Sequence, residues 1–319
     1  MSFAFVFPGQ GSQSVGMLGA LAQAEPLVAA TFAEASEALG YDLWKLVCEG
    51  PEAELNATAR TQPAMLAAGV ATWRVWQRRG GAPPQVLSGH SLGEFTALVC
   101  AQALEFAPAI ELVRFRGEVM QEAVPAGSGA MAAILGLEEA DVLGACREAA
   151  RGEVVEPANF NSPGQIVIAG DAAAVERAMQ AAKARGAKRA VLLPVSVPSH
   201  SSLTLKAAER LRERLGGLTL RAPAIRYVSA VDATEHQAPD DLRALLVRQL
   251  SSPVRWSQTL QALVTPHVAQ VIECGPGKVL TGLNRRIERR ENLSFLALED
   301  PASIDAALAA TRGDSHARE

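Results

Sequence analysis

A chain of 319 residues, 49% hydrophobic and 20% charged, can bury one large core or two moderate ones and has the composition of a globular protein. Its net charge of -4 leaves no general basic surface for a nucleic-acid backbone, and no apolar run reaches membrane-spanning length. Cys48, Cys100, Cys146 and Cys274 lack C-x-x-C spacing and nearby paired histidines, so neither a metal site nor a disulfide framework is expected; with no cationic leader before Ser2–Phe7, the expectation is a cytoplasmic protein.

Phe3 to Phe7 predicts a buried strand, broken by the glycine-rich loop Pro8-Gly9-Gln10-Gly11-Ser12-Gln13. The loop lacks the spacing of the Walker and dinucleotide fingerprints, so it reads as backbone brought close to a reacting centre. Helices are predicted at Val28–Leu39 and Pro63–Arg79.

The stretch Gln85 to Glu94 organises the chain. A short strand enters, Gly89-His90-Ser91-Leu92-Gly93 turns, and the apolar run Phe95–Leu104 leaves as a helix. This is the nucleophile-elbow pattern: glycines at the tight flanking positions, and Ser91 raised at the apex beside backbone N–H groups with no intrahelical partner. In the next helix, Ala109–Ala123, a period of 100° per residue places Leu112, Val113, Phe115, Val119 and Met120 on one face. Arg116 falls in the middle of that face. A buried guanidinium needs an anion, and periodicity leaves an internal ion pair and a bound substrate equally open.

From Gly129 the pattern becomes strand 129–136, helix 138–151, strands 154–160 and 165–170, helix 171–186 and strand 190–197, with a turn at Asn161-Ser162-Pro163-Gly164. That order is β-α-β-β-α-β, the ferredoxin-like arrangement. The expected fold class is therefore α/β: a large α/β-hydrolase-like domain with a parallel sheet and a nucleophile elbow (1–126 and 198–311), an inserted ferredoxin-like α+β subdomain (127–197), and a loose tail (312–319). A cleft is expected between the two units.

The large domain resumes at Val197-Pro198-Ser199-His200, which opens a helix to Leu215. A strand at Ile225–Val231, a helix at Pro239–Leu250, a helix ending at Leu263 and a strand at Ala269–Glu273 complete the sheet. Gly275-Pro276-Gly277-Lys278 then starts a last helix. A serine nucleophile needs a base, and five histidines compete. His90 lies inside the elbow with its side chain directed elsewhere, while His236, His267 and His316 sit in polar or surface segments. His200, in the seam between the units, is left by elimination and position. No carboxylate stands out behind it, which points to a Ser-His dyad oriented by another group.

Phe7 to Gln13, Gly89 to Glu94, Arg116-Gly117, Pro198 to Ser201 and Gly275 to Lys278 occur in an order and context that resemble the malonyl-CoA:acyl carrier protein transacylase family. The similarity runs from Phe3 to about Ile287. It implies that Ser91 carries the malonyl group as an ester, with His200 as base. It implies further that Gln10 and Leu92 give the oxyanion-hole amides, that the Gln249 backbone carbonyl orients His200, and that Arg116 holds the malonyl carboxylate. Asn161 and Gln165 would line the coenzyme A cleft. The reaction implied is malonyl transfer from malonyl-CoA to holo acyl carrier protein in fatty-acid synthesis, by a monomer that needs no metal or permanently bound cofactor. The carrier family is acidic, so Lys183, Arg185, Lys188 and Arg189, or Arg285, Arg286, Arg289 and Arg290, would dock it. The chain departs from the family at Thr204, where relatives tend to be apolar, and at Ser229-Ala230, where an asparagine pair is common. A serine acyl-thioester hydrolase, a polyketide-pathway acyltransferase and a non-catalytic carrier-binding protein are the alternatives.

Overall fold

The computed structural model describes residues 2–125, 127–195 and 197–312. Strand β1 (Ser2–Phe7) lies at the centre of the larger sheet, and its side chains alternate between two apolar layers. Phe3, Phe5 and Phe7 enter one core with Trp73 and Trp76, while Ala4 and Val6 enter the other with Val271 and Trp256. Helices α1 (Gly19–Ala24), α2 (Pro26–Leu39), α3 (Leu43–Glu49), α4 (Glu52–Leu55) and α5 (Thr58–Arg78) follow. Helix α5 is buried along most of its length and packs on α2. It begins at Thr58, not at Pro63. The proline sits in the second turn, where its missing N–H removes only the bond to the residue 59 carbonyl, so the helix runs through it.

Strand β2 (Val86–Gly89) pairs with β1 in parallel and delivers the elbow, from which α6 (Gly93–Cys100) and α7 (Phe106–Glu122) continue. The inserted segment contains β3 (Gly129–Leu135), α8 (Glu139–Ala150), β4 (Val155–Ser162), β5 (Gln165–Asp171), α9 (Ala172–Ala184) and β6 (Arg189–Leu192). Its antiparallel sheet has the order β4-β5-β3-β6. Helices α8 and α9 cover one face; Met131, Ala158, Val167 and Ala169 form a smaller apolar cluster on the other. Asn161 and Ser162 belong to the ladder, not to the turn. Pro163-Gly164 alone makes the reversal, with Gly164 at φ 69°, as a proline-glycine pair at the centre of a tight turn does. The final strand ends at Leu192, before Ser196, which lies outside the described residues.

The main body resumes with α10 (Leu205–Gly216), β7 (Arg226–Tyr227), α11 (Pro239–Arg248), α12 (Trp256–Leu263), β8 (Val268–Cys274), α13 (Val279–Ile287), β9 (Ser294–Leu298) and α14 (Pro301–Arg312). The parallel order is β7-β2-β1-β8-β9. The fold is thus mixed α/β, with a parallel sheet and a small antiparallel one, as expected. Three expectations are corrected. His200 does not open a helix directly: the chain passes through a 3-10 turn, Ser202–Thr204, before α10. The strand expected over Ile225–Val231 shrinks to Arg226–Tyr227, because Ser229 and Ala230 turn inward to bond Glu94. The sheet does not finish at Glu273: β9 adds an edge strand, and α14 extends to Arg312, whose guanidinium donates to the Arg79 carbonyl at 3.1 Å. Residues 313–319, including His316, lie outside the described residues.

The insertion is joined to the body by backbone. Phe160 N–H donates to the Val254 carbonyl at 2.8 Å, and Val254 N–H to the Ala158 carbonyl at 2.9 Å. The β4 edge, interrupted at Pro157, is therefore partly covered by the main body. Glu156 adds a second link, accepting from the Ser202 N–H at 2.8 Å and its hydroxyl at 2.9 Å.

Candidate active site

The elbow's glycines are required by close approach. A Cβ on Gly89 would lie 1.9 Å from the Gly93 carbonyl carbon, and one on Gly93 would lie 2.0 Å from the Phe7 carbonyl oxygen. The turn holds Ser91 at φ 52°, a left-handed conformation that a side chain adopts only under constraint. His200 is held similarly, at φ 63°, with its N–H donating to the Leu250 carbonyl at 2.9 Å. Both residues line a cavity of about 200 Å³ that also touches Gln10, Leu92, Arg116 and Met131.

The Ser91 hydroxyl lies 2.8 Å from His200 Nε2. On the other side of the ring, Nδ1 lies 2.8 Å from the Gln249 carbonyl and 3.2 Å from that of Ser252. Carbonyls only accept, so the proton sits on Nδ1 and the Nε2 lone pair faces the serine. Helix α11 ends at Arg248 and tightens into a 3-10 turn over Gln249–Ser251, where carbonyls at a helix end are left without intrahelical donors. Burial, assisted by the Arg116 charge, pushes the His200 pKa down to about 3, keeping the imidazole neutral.

Arg116 is 1% exposed and touches no carboxylate among the described residues. Its guanidinium donates to Gln62 Oε1 at 2.9 Å, Gln249 Oε1 at 2.9 Å and the Ser91 hydroxyl at 3.2 Å, while Nε has no partner. Burial lowers its pKa to about 10, which still leaves a cation at neutral pH. The internal ion pair left open by periodicity is therefore not formed. Gln10 and Leu92 approach the serine from the glycine-rich loop and the elbow, and their backbone N–H groups meet no acceptor among the described residues.

Asn161 reaches the cavity and accepts from His90 Nε2 at 2.9 Å, so His90 is turned away from the serine as expected. Gln165 is outside the cavity lining; its amide oxygen accepts from Arg286 at 2.8 Å. His236 lies in a polar loop, as expected, where its ring bonds Asp232 and Thr234. Of the basic clusters, Lys183, Arg185, Lys188, Arg189, Arg285, Arg286 and Arg289 are exposed, Arg185 pairing with Glu148, while Arg290 is half-buried and donates to the Val264 carbonyl.

Two residues near the site were not singled out in the sequence. Gln62, just before Pro63, gives no signal of its own. Glu94 does: it is a carboxylate in the first turn of α6 immediately before the apolar run, and it is fully buried. Thr204, a departure from the family pattern, places its hydroxyl 2.6 Å from the Leu250 carbonyl, bracing the segment that supports His200.

Residues 4–295 match the acyl transferase domain family. The malonyl CoA-acyl carrier protein transacylase of Escherichia coli (strain K12) is 55% identical over 306 residues, covering 96% of this chain and 98% of that protein. The crystal structure of an acyl carrier protein S-malonyltransferase from Vibrio cholerae superposes with a TM-score of 0.93 at 55% identity, over 96% of this chain and 100% of that one. A malonyl-transacylase solved with the holo acyl-carrier protein of a type II PKS gives a TM-score of 0.95 at 54% identity, covering 97% and 100% of the two chains. The chain belongs to the acyl transferase domain family.

Proposed function

We propose that the protein moves a malonyl group from malonyl-CoA to the phosphopantetheine thiol of holo acyl carrier protein, through a malonyl ester on Ser91, in fatty-acid synthesis. The observation that carries this reading is Arg116: a buried cation with no carboxylate in contact among the described residues, 3.2 Å from the serine hydroxyl that pairs with His200. Such a group suits an acyl chain that ends in a carboxylate, which it can grip with two N–H donors.

In the first half-reaction His200 Nε2 accepts the Ser91 proton as Oγ attacks the thioester carbonyl. The oxyanion is held by the Gln10 and Leu92 N–H groups. As the C–S bond breaks, the proton passes from Nε2 to the departing sulfur, leaving the ester and free coenzyme A. The carrier thiol then gives its proton to His200, attacks the ester carbonyl, and Ser91 recovers the proton as it leaves. Losing one oxyanion donor typically costs about 3 kcal/mol in such a site. The Gln249 carbonyl fixes the imidazole tautomer, a role a carboxylate fills in other serine enzymes.

Residues 1–126 with 198–311 form the catalytic unit in this reading, and 127–197 the inserted one, contributing Asn161, with Gln165 nearby at the coenzyme A entrance. One chain contributes all of the site residues, so a monomer suffices. Four free cysteines suit a reducing compartment such as the cytoplasm. The exposed residues of the two basic clusters are the docking candidates for an acidic carrier. Counting coenzyme A released from malonyl-CoA without an acceptor tests the reaction class. A transferase releases about one equivalent and resumes turnover when holo carrier is added; sustained release without carrier identifies a hydrolase.

A further inference from the structure

The Arg116 guanidinium is held in place by an amide whose orientation is itself fixed. Gln249 Oε1 accepts from Arg116, and the same side chain's Nε2 donates in two directions, to the Ser91 carbonyl at 2.9 Å and to Glu94 Oε2 at 2.8 Å. An amide presents an oxygen at one end only. With two acceptors facing its nitrogen, Gln249 must turn its oxygen toward Arg116.

Glu94 is anchored for this task. The carboxylate is fully buried, with its other oxygen accepting from the Ala230 N–H and from the Ser229 hydroxyl, the latter at 3.1 Å. The Tyr227 hydroxyl is buried beside it; burial raises the Glu94 pKa to about 7, and the carboxylate's charge in turn supports the Arg116 cation across the amide. Glu94 does not contact His200 or the Ser91 hydroxyl among the described residues. It is the only buried carboxylate connected to the site there, and neither the base nor the nucleophile uses it.

We infer that Glu94 is a positioning residue for acyl-group selection: acting through the Gln249 amide, it keeps Arg116 aimed at the acyl group on Ser91. This rests on the reading of Arg116 as the carboxylate holder. Replacing Glu94 by glutamine puts an N–H₂ group, in one of its two orientations, against Gln249 Nε2. If Gln249 then reverses, its nitrogen meets the Arg116 N–H₂ group, two donors in contact. If the new amide reverses instead, its nitrogen faces the Ala230 N–H. Loss of the negative charge would by itself favour an incoming carboxylate. That longer-range effect is opposed by a hydrogen-bond conflict at contact distance, and in a buried site the conflict prevails.

The test compares kcat/KM for malonyl-CoA and acetyl-CoA in wild type, Glu94→Gln, Arg116→Ala and the double variant, with an unfolding midpoint taken for each. Glu94→Gln is expected to lower the malonyl-to-acetyl preference at least tenfold, with little change in acetyl transfer and no further loss of preference in the Arg116→Ala background. Glu94→Asp, which withdraws the carboxylate by one methylene, should give a smaller loss in the same direction and carries the test if the glutamine variant does not fold. A preference unchanged or increased in Glu94→Gln, or equal losses for both substrates, overturns the proposal while leaving the role of Arg116 intact. A preference unchanged in Arg116→Ala removes both readings.

Discussion

Ser91 and His200 both occupy left-handed backbone conformations, with the Ser91 carbonyl accepting from the Glu94 N–H at 3.0 Å and the His200 N–H donating to the Leu250 carbonyl at 2.9 Å. The consequence is a hydroxyl and an imidazole preset at 2.8 Å before substrate arrives. Because burial holds the His200 pKa near 3, the ring should stay neutral, with its proton on Nδ1, from pH 8 down to about pH 5. Nitrogen-15 shifts of the histidine ring across that range check this; a titration near pH 6.5 would contradict it. Arg116→Ala should lower kcat/KM for malonyl-CoA roughly 100-fold, the scale of a lost charge-assisted contact, with acetyl-CoA affected far less. Arg116→Lys should fall between, since an ammonium keeps the charge but cannot make the two-pronged grip. Steady-state kinetics with both thioesters checks the order.

At the scale of elements, the elbow succeeds because β2, the turn and α6 are packed without room for a Cβ. Gly93→Ala would push a methyl into the Phe7 carbonyl, and we expect a loss of about 3 kcal/mol or outright failure to fold. Gly282→Ala on α13, where a Cβ meets nothing within 4 Å, should instead gain roughly 0.5–1 kcal/mol from helix propensity. Chemical denaturation of the two variants tests the contrast. The elbow was legible in the sequence for the same reason that it is fragile: glycine, serine and the apolar run must stand in fixed register. Strand β9 was not legible, because Ser294–Leu298 is a five-residue edge strand with little pattern of its own. The shortened β7 was misread for a different cause. Its residues look strand-like, but Ser229 and Ala230 give hydrogen bonds to Glu94, a partner 135 and 136 positions away that no local pattern reveals.

The whole molecule places a small antiparallel sheet over the carboxyl end of a parallel one, and the site draws on both. The order of the insertion's elements could be read from periodicity, whereas its attachment through Val254 and Glu156 depends on contacts between distant segments. Arg116 was readable as a buried charge, but the selector role proposed for it came from resemblance, and only the bond partners distinguish it from an internal ion pair. Buried ionisable groups also set how stability responds to pH. His200 has a folded pKa below its unfolded value, so its contribution is complete above about pH 6.5 and is lost as pH falls toward 3. Glu273 is the opposite case. Burial raises its pKa to about 7 while it accepts from the Leu280 and Thr281 N–H groups at the start of α13, so its contribution is complete below about pH 4.5 and is lost as pH rises through 7. The unfolding free energy of Glu273→Gln relative to wild type should therefore improve by up to about 3 kcal/mol between pH 4.5 and pH 8, a trend that denaturation at several pH values can check.

The most direct test of transfer through Ser91 is intact-protein mass after brief exposure to malonyl-CoA, for wild type and Ser91→Ala, followed by addition of holo acyl carrier protein. A malonyl increment is expected on wild type alone, which then disappears from the enzyme and is recovered on the carrier. An increment that persists in Ser91→Ala, or one that is lost as free malonate whether or not carrier is present, would contradict transfer through Ser91.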